Sequence, residues 1–121
     1  MRNILVVDQD PDFGTLCQFV LGEYHVLTAG SVEQALGCLT EEPVDLVLTE
    51  WVFSDGTAQE LVEQMPDRAV PVILLSAIPD MWPALPRRVR ARIDKPFNLP
   101  DLRAQVGHHL ADRASRAAAS A

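Results

Sequence analysis

The sequence predicts an α/β protein built around a doubly wound, parallel sheet of five strands. Apolar runs of strand length alternate along the chain with stretches of helical period. Three of the runs lack the in-and-out alternation of a half-exposed strand, as is typical of strands covered on both faces. Repeated strand–helix units joined by right-handed crossovers give this architecture. Open sheets of this kind place their sites at the carboxyl ends of the strands.

Size and composition fit one domain and argue against several classes of function. The chain has 121 residues, of which 48% are hydrophobic and 22% charged, enough for one core. Its net charge of -7 argues against a general nucleic-acid binder. No apolar stretch reaches the roughly 18 residues of a membrane span, and the polar start lacks the apolar segment of a signal peptide. We therefore expect a cytoplasmic protein without membrane contact. Cys17 and Cys38 are expected to be buried free thiols.

Each predicted element has its own signal, beginning with the strands. The central strands are predicted at residues 4–7, 44–48 and 70–75, and the shorter, more polar runs at 24–28 and 91–94 suit outer positions. A first helix after Pro11 is predicted from apolar residues at i, i+3, i+4, i+7 and i+8. These are Phe13, Leu16, Cys17, Val20 and Leu21.

The later helices are predicted from their amino-terminal caps. Ser31 with Gln34, and Thr57 with Glu60, have the spacing of capping boxes that open the second and third helices. Asn98 is expected to cap a last helix. The apolar residues that these last two helices should bury are Ala58, Leu61, Val62 and Met65 in the third, and Leu99, Leu102, Val106 and Leu110 in the last.

The segment between residues 78 and 90 breaks the regular alternation. Three prolines in it remove backbone donors and fix φ, so a degenerate fourth helix is expected, with at most a short turn at residues 82–88. After residue 112 the sequence becomes small and polar with scattered arginines. We therefore assign residues 1–112 to the domain and 113–121 to a flexible or helical tail.

Chemistry-bearing residues follow four of the predicted strands. Asp8, Gln9 and Asp10 come after the first strand, and Glu50 after the third. Ser76 ends the fourth strand, and Lys95-Pro96 follows the fifth. In this order and spacing the residues resemble the receiver domain of two-component response regulators, over residues 2 to 112. The resemblance implies a flavodoxin-like (βα)5 fold with strand order 2-1-3-4-5, and a bacterial signalling protein that is not an enzyme.

The resemblance assigns a role to each of these positions. In receivers an acidic pair after the first strand holds Mg²⁺, and an aspartate after the third strand accepts a phosphoryl group. Asp8 and Gln9 stand at the acidic pair here, and Glu50 stands at the acceptor. Ser76 is at the position of a switch hydroxyl and Lys95 at that of a lysine whose bond to the next proline is usually cis. Arg92 stands where receivers have a switch aromatic.

Two of these residues depart from the family pattern. Glu50 carries its carboxylate about one bond further out than an aspartate, and a misplacement of about 1 Å can lower a rate on the order of a hundredfold. Gln9 is a neutral amide, a poorer ligand for Mg²⁺ than a carboxylate. We therefore expect a pseudo-receiver that works without phosphorylation and has no cofactor, with only weak Mg²⁺ binding at Asp8. The alternative is a conventional receiver that is phosphorylated weakly at Glu50.

A basic cluster and its partners form a further expectation. Arg87, Arg88, Arg90 and Arg92 place four positive charges within six residues of an acidic chain. They are either a solvated sheet edge that discourages strand pairing or a docking patch for an acidic protein surface. The partner classes implied are an output domain, a histidine kinase or a second copy of the chain as a homodimer. Direct contact with nucleic acid is not expected.

A remote alternative is an enzyme. Asp8 and Asp10 after an apolar strand also resemble the Asp-x-Asp signature of haloacid-dehalogenase-type phosphatases. Asp8 would then be the nucleophile and Asp10 the general acid, with Ser76 as a phosphate ligand and Lys95 as its cationic partner. That family needs a further strand with another acidic pair after the lysine. Only one predicted helix follows Lys95, which argues against this alternative.

Overall fold

Strands and helices alternate along most of the chain, as the sequence predicts. The computed structural model describes residues 2–76 and 89–120, with side chains at 2–75 and 89–114. The elements in chain order are β1 (Asn3–Val7), α1 (Pro11–Val20), β2 (His25–Ala29), α2 (Val32–Glu41), β3 (Leu46–Thr49), β4 (Val52–Phe53), β5 (Gly56–Thr57), α3 (Ala58–Gln64), β6 (Val72–Ser76), β7 (Val89–Asp94) and α4 (Leu99–Ser120).

Five of the strands form one parallel sheet in the order β2-β1-β3-β6-β7. The two-residue strands β4 and β5 pair separately as an antiparallel hairpin. When the five strands of the main sheet are numbered along the chain without this hairpin, their order across the sheet is 2-1-3-4-5. This confirms the predicted strand order and the flavodoxin-like α/β fold. The register places the carboxyl ends of β1 and β3 side by side, since Val7 pairs with Thr49.

Both faces of the central strands are buried, which explains why their sequences lack alternation. Leu5, Val7 and Val47 belong to a core cluster on one face of the sheet, together with residues of α2 and α3. Ile4 and Val6 belong to a second cluster on the other face, with residues of α1 and α4. The sheet is therefore a rigid platform whose carboxyl edge is left to carry polar groups.

The predicted helix caps are present. The side chains of Ser31 and Thr57 accept from the third following amide, and the Asn98 side chain accepts from Asp101 N at 2.7 Å. The Ser31 box is not reciprocal, because Gln34 Oε1 accepts instead from Gly30 N at 2.8 Å. The apolar residues predicted for α3 and α4 are buried, apart from Leu99, which is half-buried.

Several details differ from the sequence predictions. Leu16, expected in the buried stripe of α1, is 41% exposed, and Cys38 is only half-buried, although both cysteines are free thiols as expected. The hairpin of β4 and β5 was not predicted, since two-residue strands carry no periodic signal. The short turn predicted at residues 82–88 lies outside the described residues, and residues 89 and 90 of the same irregular segment belong to β7. Helix α4 continues without a break to Ser120.

Among the described helices, none combines the length and the apolar character that crossing a bilayer requires.

Candidate functional site

Three charged side chains, each just after the end of a strand, lie close together at the carboxyl edge of the sheet. Asp8 follows β1, Glu50 follows β3 and Lys95 follows β7. Lys95 Nζ donates a hydrogen bond to Glu50 Oε1, and the two charged groups form an ion pair. The same Lys95 nitrogen lies 4.0 Å from Asp8 Oδ2. The Lys95–Pro96 bond is cis. This cis bond is the one that the resemblance to receivers implies for Lys95 and Pro96.

Backbone hydrogen bonds hold the two acidic positions in register beyond the ends of their strands. Asp8 N donates to Ala29 O at 3.0 Å, and Glu50 N donates to Val7 O at 3.1 Å. Both acidic residues are therefore held to the sheet through their own main chain. The relative position of their backbones at this edge follows from strand pairing.

Asp8 is the most buried charged group of the site. Its side chain is 5% exposed, whereas those of Glu50 and Lys95 are 26% and 29% exposed. Burial raises the pKa of Asp8, and Glu50 raises it further through its like charge and a side-chain hydrogen bond. A bond from Asp10 N at 2.8 Å and the charge of Lys95 lower the pKa of Asp8, without cancelling the rise. One cation thus serves two neighbouring carboxylates.

Gln9 and Asp10, the other two polar residues that follow β1, have separate contacts. Asp10 caps α1, and its Oδ1 accepts from Asp12 N at 3.0 Å. Gln9 Nε2 donates to Val52 O in the hairpin at 3.1 Å. Neither contact was predicted from the sequence. Asp10 followed by Pro11, the first residue of α1, is a recognisable capping signal that could have identified the role of Asp10.

The remaining predicted site residues lie on β6 and β7. Ser76 pairs in register with Asp94, so its backbone lies at the same edge of the sheet as Lys95, which follows Asp94. Arg92 Nε forms an ion pair with Asp94 Oδ1 at 3.1 Å. Arg90 and Arg92 are both exposed on β7. Arg87 and Arg88 lie outside the described residues, so the four-arginine cluster is described only in part.

An aromatic pair borders the ion pair and was not singled out from the sequence. Lys95 Nζ lies 5.6 Å from the centroid of the Phe13 ring. Phe13 packs edge-to-face on Phe97 with ring centroids 6.1 Å apart. A cation near an aromatic face is stabilised by the ring quadrupole, so Phe13 adds to the attraction that holds Lys95 at the site. From the sequence Phe13 was interpreted only as part of the α1 stripe.

The arrangement does not suit a resident divalent cation. In the parts of the chain that the structure describes, no three His, Cys, Asp or Glu side chains are placed to hold a metal ion together. Glu50 is engaged by Lys95, Gln9 uses its amide as a donor, and Asp10 caps a helix. Magnesium prefers several oxygen ligands in near-octahedral geometry. Asp8 alone does not provide that set.

The phosphatase alternative is not favoured by the same geometry. A general acid in that mechanism must reach the leaving group, whereas the Asp10 carboxylate accepts from the first turn of α1. The described residues after Lys95 form a single helix, without the additional strand and acidic pair that this chemistry requires.

Known proteins resemble this chain in sequence and in fold. Response regulator protein PilR of Pseudomonas aeruginosa is 32% identical over 116 residues, covering 90% of this chain and 26% of that protein. A probable cyclic di-GMP phosphodiesterase of Vibrio cholerae is 28% identical over 121 residues, covering 93% of this chain and 27% of that protein. The chain thus spans about a quarter of the length of these relatives.

Solved structures and a family model point the same way. A CheY-like response regulator receiver domain protein from Methanospirillum hungatei superimposes with a TM-score of 0.84 at 21% identity, covering 96% of this chain and 98% of that one. The family model described as the response regulator receiver domain matches residues 4–107, which include the whole of the Asp8, Glu50 and Lys95 site. The chain therefore belongs to the response regulator receiver domain family.

Proposed function

We propose that this receiver domain of two-component signalling acts by protein contact and does not accept a phosphoryl group at Glu50. The observation that carries the proposal is the ion pair between Glu50 and Lys95. In an ordinary receiver the lysine neutralises charge on the incoming phosphoryl oxygens. In this chain the lysine is paired with the carboxylate at the acceptor position.

The longer side chain of Glu50 favours this internal pairing over phosphoryl transfer. Phosphoryl transfer needs in-line geometry and charge neutralisation at the transferred group. A carboxylate displaced by about one bond and engaged by Lys95 meets neither condition. Glutamate carries one negative charge against roughly two for a phosphate, so the pair imitates a phosphorylated site only in part.

We further propose that the domain has no resident cofactor and binds Mg²⁺ weakly. The amide of Gln9 is directed to Val52 O, and this supports the view that the second position of the acidic pair has lost its ligand role. Without a firmly bound cation, charge on an incoming phosphoryl group would be poorly neutralised. The second candidate function is weak phosphorylation at Glu50, favoured by the partial exposure of its side chain.

The test is incubation with acetyl phosphate and Mg²⁺, followed by intact-mass measurement. We expect no phosphate-sized increase in mass, because the acceptor is misplaced and the metal site is incomplete. Glu50→Asp alone should restore little while Gln9 remains, whereas the Gln9→Asp/Glu50→Asp double variant should gain the adduct. A wild-type adduct that disappears in Glu50→Gln would instead establish the weak-acceptor function.

The partner is proposed to be a protein: an output domain, a histidine kinase or a second copy of the chain, met in the cytoplasm. Receiver domains work through such partners, and the match to this chain covers only 26% of PilR. The exposed Arg90 and Arg92 support a contact with an acidic surface at β7, in a chain whose own net charge is -7.

Salt dependence tests the proposed basic contact. Binding to an acidic probe protein should weaken as the salt concentration rises from 50 to about 500 mM, since exposed charges are screened over a few ångströms at high ionic strength. An Arg90→Gln/Arg92→Gln variant should bind more weakly and lose most of this dependence, whereas Arg68→Gln, outside the cluster, should behave as the wild type. Salt-independent binding would remove the arginine patch from the proposal without affecting the role of Glu50.

A further inference from the structure

The segment that carries Glu50 continues directly into a very small hairpin. Glu50 and Trp51 precede β4, and the two strands β4 and β5 contribute only two residues each. Val52 pairs with Thr57, and Phe53 with Gly56, around a loop of two residues. An isolated hairpin is at best marginally stable in water, and one this short has little pairing of its own. Its position must therefore depend on contacts with the rest of the domain.

One such contact comes from the end of β1. Gln9 Nε2 donates to Val52 O at 3.1 Å, across 43 residues of sequence. A carboxylate at position 9 could not make this bond, because an ionised carboxyl group has no hydrogen to donate. The amide that weakens the metal site thus supplies a donor to the hairpin. Gln9 therefore has a structural role, the hydrogen bond to β4, in addition to removing a carboxylate from the position of a metal ligand.

A second contact comes from the loop of the hairpin itself. Asp55 Oδ1 accepts from Val32 N, and Asp55 Oδ2 accepts from Glu33 N, each at 3.0 Å. These two amides lie in the first turn of α2, where a backbone amide has no partner within the helix and a negative charge is favoured. The two backbone hydrogen bonds lower the pKa of Asp55, so the carboxylate stays charged over a wide pH range. The hairpin is thereby joined to α2.

The backbone next to Asp55 is built for this approach. Gly56 has φ of +155°, a conformation that side-chain-bearing residues rarely adopt. A Cβ at this position would lie 2.5 Å from Glu60 Oε2 and 3.4 Å from Val32 Cγ2. Phe53, on the other strand, is buried in the core beside α2 and α3. The hairpin therefore sits in one place, with its loop against α2.

We propose that Gln9 and Asp55 are positioning residues that tether the β4–β5 hairpin to the end of β1 and to the start of α2, and so keep Glu50 beside Lys95. Only one residue, Trp51, separates Glu50 from the hairpin, so movement of β4 is transmitted to the Glu50 backbone. The proposal rests on the proposed function in one respect: a fixed Glu50 serves a domain that does not exchange phosphate. The tether itself is a geometric statement that can be tested separately.

Amide hydrogen exchange by NMR tests the tether in the phosphate-free protein. Gln9→Met keeps the length of the side chain but cannot donate, and Asp55→Asn keeps its shape but loses one acceptor. We expect either variant to speed exchange at Val52, Phe53 and Thr57 about three- to tenfold, as for the loss of one hydrogen bond. The Glu50 carboxyl carbon and the Lys95 Nζ signals should shift as the pair loosens, while amides in β1 and β3 exchange as before.

Two matched variants control for trivial effects. Gln59→Met removes an exposed glutamine whose side chain contacts Glu63 within α3, and should leave the hairpin unchanged. Ser31→Ala removes the other cap of α2, and should speed exchange most in the first turn of α2 itself.

The possible outcomes separate the tether from the proposed function. Unchanged hairpin exchange in both Gln9→Met and Asp55→Asn overturns the tether. Faster hairpin exchange together with shifted Glu50 and Lys95 signals supports it, whether or not the wild-type chain accepts phosphate. A phosphate adduct on wild-type Glu50 overturns the proposed function alone, because the exchange experiment contains no phosphodonor.

Discussion

At the scale of single residues, Asp8 bears the largest electrostatic cost of the site. Its carboxylate is almost fully buried and must share Lys95 with Glu50. A partly compensated buried charge opposes folding, since the unfolded chain can hydrate it fully. The buried Asp8 carboxylate therefore lowers the stability of the folded domain, while it keeps the three charges in a fixed arrangement.

Replacing this carboxylate by an amide should stabilise the domain at neutral pH. The pKa of Asp8 is raised above its ordinary 3.8, so the folded chain holds this proton to higher pH than the unfolded chain does. The Asp8 contribution to stability is thus present at low pH and is lost as pH rises through the folded pKa. We expect Asp8→Asn to raise the free energy of unfolding at pH 7 by on the order of 1 kcal/mol.

The measurement is urea unfolding at several pH values between 3 and 8. The advantage of Asp8→Asn should disappear at the acidic end, where the wild-type carboxyl group is protonated in both states. Asp12→Asn, in the exposed first turn of α1, serves as the control and should be slightly destabilised at pH 7, because it loses a favourable interaction with the helix dipole. A loss of stability in Asp8→Asn at pH 7 would contradict the burial argument.

Sequence reasoning reached the main residues of the site but not all of their contacts. Asp8, Glu50 and Lys95 could be brought together because each follows an apolar run, and the ends of parallel strands meet at one edge. The bond from Gln9 to Val52 O could not, since its acceptor lies in a hairpin that has no periodic signature. Hydrogen bonds to backbone atoms depend on the local path of the main chain, which composition and spacing do not specify.

At the scale of elements, two helical glycines show how packing overrides propensity. Gly14 lies in α1, where a Cβ would come within 2.7 Å of Thr28 Cγ2 on β2. Gly37 lies in α2, where a Cβ would meet nothing within 4 Å. Alanine is favoured over glycine in a helix interior by about 0.5–1 kcal/mol, so the two sites differ only in what surrounds them.

The same substitution should therefore have opposite effects at the two positions. We expect Gly37→Ala to raise the free energy of unfolding by about 0.5–1 kcal/mol. Gly14→Ala should lower it by about 1–2 kcal/mol, because α1 must move away from β2 to admit the methyl group. Chemical denaturation of both variants checks this. Thr28→Ser deletes the contacting methyl group and should recover part of the loss in a Gly14→Ala background, whereas no recovery would point to another cause.

Elements with strong local signals were predicted well, and the weak ones were not. The caps at Ser31, Thr57 and Asn98 placed three helix starts correctly, because capping is a local interaction within one turn. Periodicity placed α1 but misjudged Leu16, which is exposed. A stripe of apolar residues gives the direction of the buried face, while the width of that face depends on how closely the neighbouring helix approaches.

At the scale of the whole molecule, the platform is rigid and the site lies at one edge of it. The central strands are buried on both faces, and β7 links the Glu50 and Lys95 pair to the outer edge of the sheet through Asp94 and Arg92. In receivers that switch, a phosphate at the acceptor alters this edge. By the resemblance to receivers, Arg92 stands at the position of the aromatic residue of that switch. It forms an exposed ion pair with Asp94 on its own strand.

The domain as a whole should therefore fail to respond to a phosphate mimic. A ligand can shift a conformational equilibrium only by its difference in affinity for the two states. Beryllofluoride with Mg²⁺ needs a free acceptor aspartate and a metal site, and under the proposed function Glu50 with Gln9 provides neither. We expect the backbone NMR signals of residues 89–94 to stay unchanged when the mimic is added to the wild-type chain.

The Gln9→Asp/Glu50→Asp variant is the positive control and should show shifts at residue 50 and Lys95. If those shifts do not extend along β7, the lost aromatic at Arg92 accounts for the missing transmission. Shifts along β7 in the wild-type chain would instead mean that the edge still switches, and that Glu50 is a working acceptor position.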